Sequence, residues 1–172
     1  MELLDLVLSD SNLNQAVTRV FKNGGSAGVD GMNVEQGKKY FYEHKTEIIN
    51  AIKTRTYKPQ PVKRVEIPKP DGGIRNLGVP CVIDRFIQQA INQVLTPIYE
   101  EQFCDFSYGF RPARDCHQAI SKSLEYLNEG YTVIVDIDLE KFFDKVNHDK
   151  LMQVLNNTIT DGDLLSIIRE YL

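Results

Sequence analysis

VIVDIDLEKFFDKVNHDKLM, residues 133–152, carries the strongest signal in this 172-residue chain. Its opening run, taken back to Thr132, is apolar, rich in β-branched residues and closed by an acid, which predicts a buried strand. Asp136 and Asp138 alternate with Val135 and Ile137, so both carboxylates share one side of that strand near its end. A buried carboxylate is costly unless it is paired or bound to a cation, so acids closing an apolar strand suggest a divalent-metal site. The plainer alternative is two acids marking the exposed end of a strand. Phe142, Phe143 and Asp144 follow in a tight turn, and an aromatic five residues beyond Asp138 can wall a pocket beside a cation.

Downstream, Asn147 and Asp149 open a helix containing Leu151, Val154 and Leu155. The sequence then stops within an apolar-periodic stretch (Leu164, Leu165, Ile167, Ile168, Leu172) with no stop signal after it, which predicts a truncation, natural or engineered. Upstream, Cys116, Ile120, Leu124 and Leu127 sit at core spacing on a helix ended by Gly130, preceded by the loop SYGFRPARD (107–115). A long helix spans about 83–95, with Asp84 near its start, where a carboxylate suits the helix dipole. PVKRVEIPKPDGGIRNLGVP (61–80) reads as a β-hairpin turning at Pro70-Asp71-Gly72-Gly73. Lys63, Val65 and Ile67 share one face of its first strand, and Val62, Arg64 and Glu66 the other. At the N-terminal end Leu13, Val17, Val20 and Phe21 mark a helix stopped by Gly24-Gly25. A glycine-rich loop, GGSAGVDG (24–31), leads to a helix over about 34–52 with Phe41, Ile48 and Ile52 on one face. This order predicts an α+β fold in which a hairpin projects from a helical platform.

Composition bounds the function classes. At 42% apolar and 26% charged residues the chain is globular rather than disordered, and its length suits one domain. No run approaches a membrane span, and the acidic N-terminus lacks the basic region of a signal peptide, so a soluble, intracellular (cytoplasmic) protein with no membrane partner is expected. Cys81, Cys104 and Cys116 are too few and too scattered for a disulfide frame or a zinc knuckle, and the three histidines have no metal-ligand spacing. The net charge of −4 argues against a nucleic-acid partner until it is divided. Residues 53–75 hold seven Lys/Arg against two Asp/Glu, or +5, and the remainder, thirteen against twenty-two, is −9. Lys69 and Arg75 flank the hairpin turn, where a point charge and a planar fork together suit a polyphosphate, although two tip cations are more often only solvated. The glycine-rich loop lacks both dinucleotide and P-loop patterns. Tyr108 and Phe110 either stack on bases or pack beneath their loop.

Five blocks together resemble a family: GSAGVDGM (25–32), IPKPDGGIRNLGVP (67–80), IDRFIQQAINQVLTPIYEEQF (83–103), SYGFRP (107–112) and DIDLEKFFDKVNHDKL (136–151). In order and spacing they look like the N-terminal blocks of bacterial group II intron reverse transcriptases, or maturases. The resemblance implies a right-hand polymerase. Its N-terminal helical extension would cover 1–56 with a lid loop at 24–32, its fingers 57–130 with the hairpin at 62–79, and the start of its palm 131–172. It also implies roles. Asp138 matches the first catalytic aspartate, with the Leu139 carbonyl as a second Mg²⁺ ligand. Phe143 matches the residue that stacks under the deoxyribose, and Lys69 and Arg75 match the residues that hold the dNTP triphosphate. Gly25, Ser26, Ala27 and Gly28 match the lid over the template–primer duplex, and Lys63, Arg64 and Arg111 are expected against nucleic acid. Asp136 becomes a supporting carboxylate and Asp144 a structural one.

Asn76 departs from the frequent proline after the fingers arginine. The YxDD turn with the other two carboxylates would lie beyond Leu172, so the chain alone is expected to bind RNA but not to polymerise. Expected partners of the parent are intron RNA, an RNA template with DNA primer, and dNTPs. An exposed half-palm also leaves an apolar surface open to homodimerisation. The alternatives are an RNA-binding splicing module, a reverse transcriptase of a phage-defence or diversity-generating lineage, and, poorly, a metal-dependent phosphatase.

Overall fold

Leu13, Ala16, Val17 and Val20 recur at helical spacing and are buried together, which is why the stretch around them folds as an amphipathic helix. In the computed structural model, which describes residues 2–70 and 72–172, this helix is α2 (Asp10–Asn23), following the short α1 (Leu3–Val7). The Ser9 hydroxyl caps α2 by accepting from Asn12 N–H, and Gly24 ends it with a φ of 65°. Helix α3 (Val34–Lys53) starts on a capping box, Asn33 and Gln36 each accepting the other's backbone N–H. Its expected face, Phe41, Ile48 and Ile52, is buried.

After α3 the chain makes the hairpin β1 (Lys63–Pro68) and β2 (Ile74–Val79), antiparallel with Val65 opposite Leu77 and Ile67 opposite Arg75. The tip closes with Lys69 N–H donating to the Gly73 carbonyl at 2.7 Å, while Asp71 of the expected turn lies outside the described residues. Helix α4 (Val82–Glu100) is longer than its expected 83–95 and carries Pro97 within it. The chain continues through α5 (Cys116–Asn128), the single turn α6 (Phe142–Lys145), α7 (His148–Asn156) and α8 (Gly162–Glu170). Among the described residues no helix is long and apolar enough to cross a membrane.

Two compact units result. The first runs to Leu95 and includes Asn147–Leu172; the second is Thr96–Val146. In the first, Phe86, Ile87, Ala90 and Ile91 of α4 are buried, with Phe86 meeting Phe41 edge to face at 5.6 Å. Gly37 of α3 is needed because a Cβ there would collide with the Val82 side chain. The Asn12 amide donates to the carbonyls of Val7 and Ala90, so a half-buried polar group links the start of α2 to α4. Asp161 caps α8 by accepting from Asp163 and Leu164 N–H, and its other oxygen accepts from Leu4 N–H at 2.8 Å. One carboxylate thus satisfies the open donors of two helix starts distant in sequence.

The second unit corrects two expectations. Residues 132–138 form no strand, and Val133, Ile134, Val135 and Ile137 are 77–86% exposed. A strand exists only within a ladder, and the one sheet among the described residues is the β1–β2 hairpin, to neither strand of which this segment is paired. Likewise Ile120, Leu124 and Leu127 do line one face of α5, but the face is exposed rather than core.

Candidate functional site

The hairpin presents its basic residues on a nearly bare ribbon. Every described residue of β1 and β2 is exposed except Val65 and Val79, which are half-buried. Two six-residue strands have too little surface to make a core of their own, so the ribbon stands as an arm. Lys69 and Arg75 are exposed near its tip, and among the described residues neither has an ion-pair partner. Lys63 and Arg64 are exposed as well, with Arg64 Nε donating to the Asn76 amide oxygen at 3.3 Å and a looser pairing to Glu66.

The glycine-rich loop is fixed from below. Gly28 is buried because a Cβ there would fall 2.7 Å from the Cα of Cys81, a backbone approach only glycine permits. Burial pushes the Cys81 thiol pKa up, leaving a neutral thiol under the loop. Arg85 grips the loop from α4: Nη1 donates to the Gly24 carbonyl at 3.3 Å and Nη2 to the Ser26 carbonyl at 2.8 Å. The loop's outer residues, Gly25 and Ser26, are exposed.

Next to Arg85, Asp84 is 2% exposed, the single buried charged residue of the described core. Its Oδ1 accepts from the hydroxyls of Tyr57 at 2.7 Å and Tyr171 at 3.2 Å, and its Oδ2 accepts from Gln60 N–H at 3.1 Å. Burial raises the Asp84 pKa despite these donors, and burial together with the Asp84 charge pushes both tyrosine hydroxyls far up. Sequence reading placed Asp84 on a helix dipole and missed this cluster. The available clue was an acid flanked by Cys81, Val82, Ile83 and Phe86, a neighbourhood that tolerates a carboxylate only with donors.

In the second unit Asp138 and Leu139 are exposed on the unpaired segment, and Phe143, 89% exposed, is the second residue of α6, next to Phe142, their rings 5.6 Å apart. Lys141 enters that turn in a left-handed conformation. Asp138 and the Leu139 carbonyl are hard oxygen donors of the kind Mg²⁺ takes, but among the described residues no third acid or histidine gathers with them. The donor type fits a divalent cation and the donor number does not. Lys69 and Arg75 belong to the first unit and Asp138 and Phe143 to the second.

Arg111 is a correction. Expected against nucleic acid, its side chain is 6% exposed and its fork is spent internally. Nε and Nη2 donate to Glu100 Oε1 at 3.0 and 2.7 Å, and Nη1 donates to the carbonyls of Cys104 and Ser107. The guanidinium also lies over the Phe103 ring. It staples the SYGFRP loop rather than offering charge to a ligand. Phe110, by contrast, is fully exposed, so it does not pack beneath that loop.

Comparison with known proteins gives a consistent family. The family described as "Reverse transcriptase (RNA-dependent DNA polymerase)" matches residues 67–172. Protein YkfC of Escherichia coli is 33% identical over 96% of this chain and 45% of its own length. Group II intron-encoded protein LtrA of Lactococcus lactis is 34% identical over 91% of this chain and 26% of its own. The chain therefore spans less than half the length of these relatives. Nuclear intron maturase 1 of Arabidopsis thaliana is 29% identical over 54% of this chain and 13% of its own length. A chain of a solved Cas6-RT-Cas1–Cas2 complex superposes on the whole of this chain and 28% of its own, with a TM-score of 0.60 and 20% identity, a likeness of fold. From the hairpin onward the chain belongs to the reverse transcriptase (RNA-dependent DNA polymerase) family, and group II intron-encoded proteins are among its relatives.

Proposed function

We propose that this chain is the N-terminal extension, fingers and first part of the palm of an RNA-directed DNA polymerase that also assists splicing of its intron RNA. The observation that carries the reading is that the family match, 67–172, begins at the hairpin and takes in Lys69, Arg75, Asp138 and Phe143 in one stretch. Lys69 and Arg75 supply the positive charge that orients and neutralises an incoming triphosphate, Arg75 through a planar fork and Lys69 as a point charge. Phe143 offers an exposed ring face to the sugar of the nucleotide. The Gly25–Gly28 loop covers the template–primer duplex, and Lys63 and Arg64 contact template phosphates. Asp138 and the Leu139 carbonyl contribute oxygen ligands to a divalent cation, for which we propose Mg²⁺. Asp138 and the Leu139 carbonyl would hold only part of such a site; a complete two-ion centre would supply one cation to acidify the primer 3′-hydroxyl and one to offset charge on the leaving pyrophosphate.

The test uses the full-length protein that carries this sequence. Asp138→Ala abolishes primer extension on an RNA template while intron RNA binding, followed by filter retention, stays within about twofold. Lys69→Ala and Arg75→Ala each raise the dNTP KM. Substantial synthesis by Asp138→Ala refutes the ligand role, and an unchanged KM returns the two cations to simple solvation. If the full-length protein binds intron RNA yet never extends a primer, the splicing-module reading replaces the polymerase.

A further inference from the structure

We propose that Asp84 and Arg85, consecutive residues at the start of α4, are positioning residues that rivet two separate functional loops to one helical turn. Asp84 fixes the root of the basic hairpin, and Arg85 fixes the glycine-rich lid. The proposal rests on the polymerase reading for what those loops do, and on geometry alone for how they are held.

The hairpin is an exposed arm, so its direction is set where it leaves the body. Its two legs leave on either side of Asp84. One leg ends at Gln60, three residues before β1, and Gln60 N–H donates to Asp84 Oδ2 at 3.1 Å. The Tyr57 hydroxyl, on the same leg, donates to Oδ1 at 2.7 Å. The other leg is covalent: β2 ends at Val79, and Pro80 and Cys81 lead directly into α4. A carboxylate 2% exposed thus closes the loop from 60 to 84 across its base. At about 3.3 Å per residue β1 alone is roughly 20 Å long, so about 10° of play at the root moves the tip by roughly 3 Å. Catalysis is sensitive to misplacements of about 1 Å. Lys69 and Arg75 at the tip are therefore only as well placed as the root is stiff.

Arg85 does the equivalent for the lid. Its fork holds the Gly24 and Ser26 carbonyls, and the second is on the loop's exposed side. Gly24 and Gly25 have φ of 65° and 103°, so this backbone has a wide choice of conformations and needs an external clamp to keep one. Tyr171, at the C-cap of α8, also donates to Asp84 and is hydrogen-bonded with Tyr57, but it belongs to neither loop, so its loss from the same carboxylate provides the comparison.

The test compares three variants of the full-length protein. Tyr57→Phe removes one donor from the hairpin root and raises the dNTP KM about fivefold, with kcat and template–primer Kd unchanged. Tyr171→Phe loses a comparable bond and leaves the dNTP KM unchanged. Arg85→Lys keeps the charge but loses the fork, and it weakens template–primer binding with the dNTP KM unchanged. Equal KM effects of Tyr57→Phe and Tyr171→Phe would reduce Asp84 to a fold-stabilising residue and overturn the proposal. So would Arg85→Lys without effect on duplex binding. Spin labels at Ile74→Cys and Glu47→Cys, with Cys104→Ser and Cys116→Ser, read the arm's direction without activity. The distance distribution broadens in Tyr57→Phe and not in Tyr171→Phe. If Lys69→Ala leaves KM unaltered while the distribution still broadens, the nucleotide reading has failed and the rivet stands; if it does not broaden, the rivet has failed.

Discussion

Asp161 shows how much one side chain can hold. Its two oxygens accept backbone N–H donors from the starts of α8 and α1, segments more than 150 positions apart in sequence. Burial alone would raise its pKa, but the donors from Leu164, Leu4, Asp163 and Leu3 outweigh that and hold it below the ordinary carboxylate value. A lowered folded-state pKa means that the ionised form stabilises the fold above the unfolded value of about 3.9, and that this contribution is lost as pH falls through the lower folded value. Asp161→Ala is expected to cost about 2 kcal/mol in urea unfolding near neutral pH, the upper end for a single cap because two helices lose donors' partners. The gap between variant and parent should stay constant down to about pH 5 and narrow below about pH 4. A gap that persists undiminished at low pH would mean that packing, not the carboxylate, is what was lost. At this scale sequence reading is weakest where the chemistry is internal. Lys69 and Arg75 are exposed, and the partners of Arg111 lie only 4 to 11 residues off, within reach of a closer local reading; those of Asp84 arrive from 24 to 87 residues away. Local spacing cannot announce a partner that the fold brings in from elsewhere.

Elements were legible in proportion to how local their causes are. Apolar period placed α3 to within about a residue, the glycine pair marked the end of α2, Asn147 marked the start of α7, and the turn sequence located the hairpin. The segment 132–138 has a strand's composition yet is unpaired, because pairing is a property of two segments and composition of one. The packing of α3 against α4 shows the same non-local logic in a form that can be measured. Gly37 sits in the interior of α3, where glycine costs about 1 kcal/mol relative to alanine, and it is there because Val82, fully buried, occupies the space its Cβ would take. Gly37→Ala therefore overpacks the interface and should destabilise by about 1 to 3 kcal/mol despite the better helix former. Val82→Ala empties the same space and costs a similar amount on its own. In the double variant the new methyl fills the vacated volume, so the two effects should fall short of additivity by at least about 1 kcal/mol in a thermodynamic cycle. Strict additivity would place the cost of Gly37→Ala elsewhere in α3.

For the whole molecule, the net charge of −4 conceals the distribution that matters. The +5 segment 53–75 contains the exposed arm; two of its cations, Arg55 and Lys58, are paired with Asp163 and Glu170, whereas Lys63, Lys69 and Arg75 of the arm have no ion-pair partner among the described residues. Pairs of this kind contribute little to stability and leave the net charge unchanged, so what a polyanion meets at the arm is set by the cations that remain unpaired there. Binding of RNA by this 172-residue chain should then depend on Lys63, Arg64, Lys69 and Arg75 as four exposed cations on one ribbon. Neutralising four phosphates predicts that log K falls against log salt with a slope of about −3 for a single strand. Replacing Lys63 and Arg64 with alanine should bring that slope to roughly half and weaken binding to all sequences alike, because phosphate contacts carry no base information. Arg111→Ala, by comparison, should leave the slope unchanged, since its guanidinium is already consumed by Glu100 and two carbonyls. A flat salt response, or a slope that Arg111→Ala reduces and the paired hairpin substitutions do not, would move the nucleic-acid face off the arm and onto the second unit.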